Sequence, residues 1–158
     1  MIRFYIILTF SLLSTLADAD EILIRAKAIK KEQTEYIPDC GDDCMVWAIW
    51  NIYTLEVLDV INGNLKQKTL RVAFLEGHSK PISELQNWYL LLDKLGNEDD
   101  IQEKLDVRYY VLNKAFVTES LCFYKNLSDL FPADSRYKNV YENKETKEFC
   151  YPIKYFTE

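Results

Sequence analysis

The chain is poor in the residues that do chemistry near neutral pH. It has a single histidine, His78, with four cysteines, four glycines and four prolines. One histidine excludes the multi-histidine metal centres and leaves little material for a histidine base. No G-x-S-x-G nucleophile elbow and no dinucleotide or phosphate-loop glycine pattern occurs, so no cofactor is expected. No lysine/arginine run interrupts a net charge of −6, and an acidic surface without a basic stripe is repelled by phosphate backbones. Nucleic acid is therefore excluded as a partner, whereas a protein, cationic for preference, suits the charge. The sequence also lacks internal repeats, low-complexity tracts and Pro/Gly/Ser linkers.

A long apolar run is missing too. Phe4–Leu16 follows Arg3 and contains Thr9, Ser11, Ser14 and Thr15, which falls short of the roughly 20 apolar residues that cross a bilayer. It ends in Ala17-Asp18-Ala19, a small-x-small site. Residues 1–19 read as a signal peptide cleaved after Ala19, so that membrane contact is transient and residues 20–158 form one secreted or periplasmic domain. In that compartment Cys40, Cys44, Cys122 and Cys150 are expected to form two disulfides. Of three pairings the local one, Cys40–Cys44 with Cys122–Cys150, is favoured. On a chain-entropy account these contribute about 2 and about 3.6 kcal/mol respectively.

What is present is β-forming. Residues 21–30 (EILIRAKAIK) alternate, with Ile22, Ile24, Ala26 and Ala28 on one face, as in a half-buried strand. Residues 46–61 (VWAIWNIYTLEVLDVI) are dense in Val, Ile, Trp and Tyr, which favours a long bent strand. Asn62-Gly63 then signals a hairpin, and residues 68–75 (KTLRVAFL) alternate again with Leu70, Val72 and Phe74 inward. Residues 88–95 (WYLLLDKL) fit a strand or a helical face; strand is preferred, because the polar stretch 96–100 leads to Val107–Leu112 as its partner. One or two helical turns are expected around Leu127–Phe131, then an irregular tail held by the second disulfide. Four or five curved strands in meander order describe a mainly β, small closed antiparallel barrel of OB-like type with one short helix. A sandwich, or an antiparallel sheet with a helix on it, is the alternative.

ILIRAKAIKK, YTLEVLDVINGNLKQKTLRVAF and WYLLLDKL, in that order, resemble the strand plan of the netrin module and of the tissue inhibitors of metalloproteinases. The resemblance spans residues 22–112 and implies an OB-like barrel in an exported protein. The inhibitory members of that family begin with a cysteine that reaches the target's zinc. Here the expected first mature residue is Asp20, so that mechanism is not implied.

Four features are candidate sites. Asp39, Asp42 and Asp43 flank Cys40 and Cys44 and could offer oxygens to calcium, but the longer alternating ligand pattern is missing; a cinched hairpin tip is the plainer reading. His78 adjoins Ser79, yet neighbours on extended backbone point apart, which leaves a solvated histidine. The acidic segment Asn97–Asp106 could pair carboxylates for glycoside hydrolysis, although clustered like charges favour hydration. Trp47, Trp50, Tyr53, Trp88, Tyr89, Tyr109 and Tyr110 supply either core or an aromatic partner-binding face, with Trp47, Trp50, Trp88, Tyr109 and Tyr110 the candidates for the face. Asn126-Leu127-Ser128 is a glycan acceptor pattern. The expectation is a non-enzymatic, exported binding or inhibitor-like module. Its alternatives are a hydrolase or metal site around Asp39, Asp42, Asp43 and His78, and a structural part of a periplasmic or surface assembly.

Overall fold

A computed structural model describes residues 21–37, 48–77, 81–84, 86–96, 100–116 and 120–156. The expected signal peptide, the Cys40–Cys44 loop with Asp39, Asp42 and Asp43, and Trp47 and His78 lie outside them.

The alternation of the first segment becomes β1 (Ile22–Gln33), which pairs antiparallel with β2 (Ile49–Asn62). Three register shifts along that pair, the last between Ala28 and Lys30, coil both strands. β2 pairs with β3 (Thr69–Glu76), β1 also pairs with β4 (Asn87–Lys94), and β4 pairs with β5 (Tyr109–Phe116). The ambiguous segment is thus a strand with the partner expected for it. Two parallel pairs, Val72↔Tyr109 and Ala73↔Tyr110, close the ring in the order β1-β2-β3-β5-β4.

The closed barrel is as expected, but its last seam is parallel and its order is not a meander. The strand that follows β3 in sequence, β4, pairs with β1 and β5 instead of β3. Ile82, in the connection between β3 and β4, is 3% exposed and packs into the barrel core. The β2–β3 turn differs as well. Beyond Val57 β2 pairs with β1 alone, and the connection runs over residues 63–68. Gly63, at φ +92°, brings its backbone to 3.1 Å from Ile22 as measured from the position a Cβ would take, a conformation and an approach suited to glycine.

Three apolar clusters follow. Inside the barrel, Ile22, Ile24, Ala26 and Ala28 meet Tyr53, Leu55, Leu70, Val72, Phe74, Leu90 and Leu92, which fills the interior as in small barrels. Outside it, α1 (Asp100–Leu105) lays Leu105 and Ile101 over Trp50, Ile52 and Ala73. The residues that follow the expected polar connection thus form a short helix, whose Ile101 and Leu105 stand four apart on one face. On another outer face Leu23, Tyr89, Leu91 and Ala115 are covered by the C-terminal residues Leu121, Phe123, Phe131, Tyr137, Tyr151 and Phe156.

That C-terminal part is more regular than an irregular tail. It contains β6 (Ser120–Phe123), β7 (Tyr141–Glu142) and β8 (Phe149–Pro152) in the order β6-β8-β7, and a second short helix, α2 (Leu127–Leu130). Asn126 caps α2, accepting from the Ser128 N–H at 3.1 Å, and the buried Tyr151 hydroxyl accepts from the Leu127 N–H at 2.7 Å. Arg136 donates to Asp134 and to the Ile61 carbonyl at 3.1 Å, while Asn62 donates to Asp134 at 3.1 Å, which ties the tail to the end of β2. Burial by the tail also raises the pKa of Tyr137 and Tyr151.

Cys122 and Cys150 face each other across β6 and β8 and are disulfide-bonded, as expected. They close a loop with a sequence separation of 28. Replacing both by alanine is expected to lower unfolding free energy by about 3–4 kcal/mol, measured by urea denaturation of oxidised material. A loss below about 1 kcal/mol would show that the tail is held by packing alone.

Candidate functional site

Strand alternation carries polar side chains inward at one end of the barrel. On β3 the inward series Leu70, Val72, Phe74 ends on Glu76; on β2 the series Leu55, Tyr53 runs on to Asn51. Register places Asn51 opposite Phe74, and Tyr53 opposite both Val72 and Lys31. Glu76, whose side chain is only 13% exposed, therefore receives three donors: the Lys31 ammonium, the Tyr53 hydroxyl, and the Asn51 amide at 3.1 Å. A carboxylate withdrawn from water is tolerable when its oxygens are satisfied in this way. Burial, then the bond to Glu76 and its charge, raise the pKa of Tyr53, while the Ile82 N–H donates to the same phenol oxygen.

A bulge turns a further lysine, Lys114, inward. Leu91 pairs with Asn113 but Leu92 pairs with Val111, which makes Leu112 an extra residue in β5. One added residue swaps the faces of everything beyond it. Val111 and Lys114 thus both face inward, Lys114 beside Leu90 of the core. Its ammonium lies 4.7 Å from the Phe74 ring centre and 5.3 Å from that of Trp88. It is closed off from solvent without a hydrogen-bond partner among the described residues. Burial depresses its pKa, an effect opposed by Glu76 and reinforced by Lys31.

A cleft of about 350 Å³ opens beside this group, lined by Lys31, Gln33, Thr34, Ile49, Asn51 and Glu76 among others. Its wall is braced by the Thr34 hydroxyl, which donates to the Trp50 carbonyl and accepts from the Tyr36 N–H at 3.1 Å. The Trp50 N–H donates to the Tyr36 carbonyl at 3.1 Å. Large apolar side chains stand exposed on the strands that end here: Ile49 begins β2, Leu75 is next to last in β3 and Phe116 ends β5, at 41%, 36% and 47% exposure.

No family model, curated protein or solved structure matches this chain. The site is therefore read from its own geometry.

The structure distributes the aromatic candidates over several places. Trp50, 8% exposed, lies on the outer face under α1, edge-on to Tyr110 at 6.2 Å. Trp88, 5% exposed, lies inside, donates to the Ser83 carbonyl at 3.1 Å and meets Phe116 edge-on at 5.7 Å. Tyr109 and Tyr110 are half-buried on opposite faces, Tyr110 donating to Asp93 at 2.9 Å. Burial thus removes Trp50 and Trp88 from any exposed aromatic face, because closing the barrel and seating α1 consume their rings. Tyr53 and Tyr89 are buried as well. Of the acidic segment, Asp100 and Asp106 are 74% and 99% exposed and pair with Lys104 and Arg71 at 3.9 and 3.6 Å. That is solvated surface rather than a pocket. Among the described residues no three His, Cys, Asp or Glu converge on a metal-sized point.

Glu76, Lys31, Asn51 and Lys114 were not singled out from sequence. A signal existed for two of them, since Asn51 and Glu76 extend inward alternations that are otherwise apolar.

Two outcomes follow. Lys114→Met, which replaces an unpaired buried ammonium by an apolar side chain, is expected to stabilise the fold by about 1 kcal/mol at pH 7. With the folded pKa depressed, the wild type sheds its handicap as pH rises toward the unfolded value of 10.5, so the gain should shrink in that range; destabilisation at pH 7 would refute the burial argument. Tyr53, Tyr137 and Tyr151 all have raised folded pKa values. The folded chain therefore keeps protons that the unfolded chain releases near pH 10, and stability should fall above that pH. Tyr53→Phe should flatten that decline in melting curves, and an unchanged slope would count against it.

Proposed function

We propose that this chain is an exported, non-enzymatic binding or inhibitor-like module that engages another protein through the barrel end containing Glu76. The observation that carries the reading is the set of exposed apolar side chains, Ile49, Leu75 and Phe116, on strands that end around a rigid polar floor. Exposed apolar groups beside a fixed polar centre suit a protein contact, where a few anchors contribute most of the binding energy. The floor itself supports recognition over catalysis. Glu76 is held by three donors at once, and a carboxylate so held serves better as a shaped anchor than as a base.

Other features support the same reading. The Cys122–Cys150 disulfide suits an oxidising compartment, and no described helix is long and apolar enough to cross a membrane. Together with the signal-like residues 1–19 this favours a secreted or periplasmic product. A net charge of −6 assists encounter with a cationic partner and disfavours nucleic acid. A closed five-stranded barrel is also the scaffold that the resemblance to the netrin module implies.

The test uses residues 20–158 made through an oxidising export route, immobilised, and exposed to extract of the source organism. Ile49→Glu/Phe116→Glu should reduce the retained partner at least about tenfold, as expected when central apolar anchors are lost. Leu58→Glu, on exposed β2 surface nearer that strand's other end, should leave retention intact. Equal retention by both variants, or no specific retention by the parent, would contradict the assignment.

A further inference from the structure

Asn126-Leu127-Ser128 plays no part at the barrel end, and it is the chain's one N-x-S/T triplet. The fold treats the two halves of the Asn126 amide differently. Oδ1 accepts from the Ser128 N–H at 3.1 Å, from the Ser128 hydroxyl at 2.8 Å and from the Tyr151 hydroxyl at 2.8 Å. A backbone N–H can only donate, which fixes the amide oxygen on that side and directs Nδ2 the other way. Nδ2 has no hydrogen-bond partner among the described residues, and it is not one of the polar atoms closed off from solvent. Capping α2 needs only an acceptor, which aspartate or serine supplies equally well. The amide nitrogen is thus left without a structural task. The surface around it is open: Asn126 is half-buried, and Tyr124 and Lys125 just before it are exposed, Tyr124 at 65%.

We propose that Asn126 is the attachment site of an N-linked glycan, which the fold accommodates through the idle Nδ2. The donor is an oligosaccharide carried on a lipid diphosphate. The bond from Nδ2 to the sugar C1 forms as the bond from C1 to the diphosphate oxygen breaks. One amide proton is lost, and the lipid diphosphate departs with the electron pair, so nothing is oxidised or reduced. The amide carbonyl is untouched, and its bonds to Ser128 and Tyr151 persist in the glycosylated chain. Ser128 supplies the hydroxyl that the acceptor pattern requires. Leu127, between the two, is fully buried, so transfer precedes the folding of this stretch. The inference rests on the export reading above and is independent of the partner surface.

The experiment expresses the full chain, and separately residues 20–158 behind a leader of established function, in cultured eukaryotic cells. Intact masses from cells and medium are measured before and after peptide N-glycosidase treatment in ¹⁸O-water. Treatment should remove the mass of a whole oligosaccharide. Trypsin, cutting after Lys125 and Arg136, should then yield a peptide in which Asn126 has become an aspartate carrying the heavy oxygen. Asn126→Gln and Ser128→Ala should abolish the added mass, and Ser128→Thr should retain it. The glycosylated chain should melt no more than about 3 °C below the enzyme-released form, because aspartate caps as asparagine does. Unmodified residues 20–158, sugar persisting in Ser128→Ala, or a larger fall in melting temperature would overturn the proposal. An unmodified full chain held in the cell, beside glycosylated residues 20–158, would instead remove the export reading and leave the site standing.

Discussion

Glu76 is the constraint around which one end of the molecule is arranged. Inward positions of a small barrel are filled by side chains and exclude water, and alternation on β3 assigns the last such position to a carboxylate. Leaving it unpaired there would cost several kcal/mol. The chain responds with donors from two different strands, Lys31 on β1 and Tyr53 and Asn51 on β2. Each of those bonds requires the β1–β2–β3 register to be the one observed. The same carboxylate holds the Tyr53 phenol, whose oxygen also accepts from the Ile82 N–H, and Ile82 packs into the barrel core.

Much of this was legible in the sequence where a periodic pattern met a single environment. β1 and β3 alternate cleanly, so the inward residues Ile22, Ile24, Leu70, Val72 and Phe74 could be named in advance. The Cys122–Cys150 pair could also be anticipated, since both residues lie in the tail. Legibility failed where tertiary contacts decide. The parallel seam rests on two residue pairs, too few to mark a sequence. The β5 bulge moves Lys114 from an outer to an inner face through one extra residue, and nothing in YYVLNKAF announces it. α1 was hidden by its acidic residues, although Ile101 and Leu105 had helical spacing.

The site was less legible than the fold, and for a related reason. Of the two readings open to the tryptophans, core or exposed face, the structure takes core for Trp50 and Trp88, because the barrel interior and the cover by α1 both need large rings. Trp88 lies inside and Trp50 under α1, and Ile49, Leu75 and Phe116 are among the large apolar side chains left exposed. Polar residues at inward positions, here Asn51 and Glu76, were the more informative sign. Burying them is unfavourable unless partners arrive, so they mark a place where several strands must converge.

The account stands on the Lys31–Glu76 pair being a fixed, mutually dependent contact. A double-mutant cycle with Lys31→Met, Glu76→Gln and the combined variant, followed by denaturant unfolding at pH 7, measures that dependence directly. A favourable coupling above about 1 kcal/mol, within the span seen for residues in one network, is the expected result. A coupling below about 0.3 kcal/mol would mean that the two residues act independently, and the rigid floor on which the binding site is built would not exist.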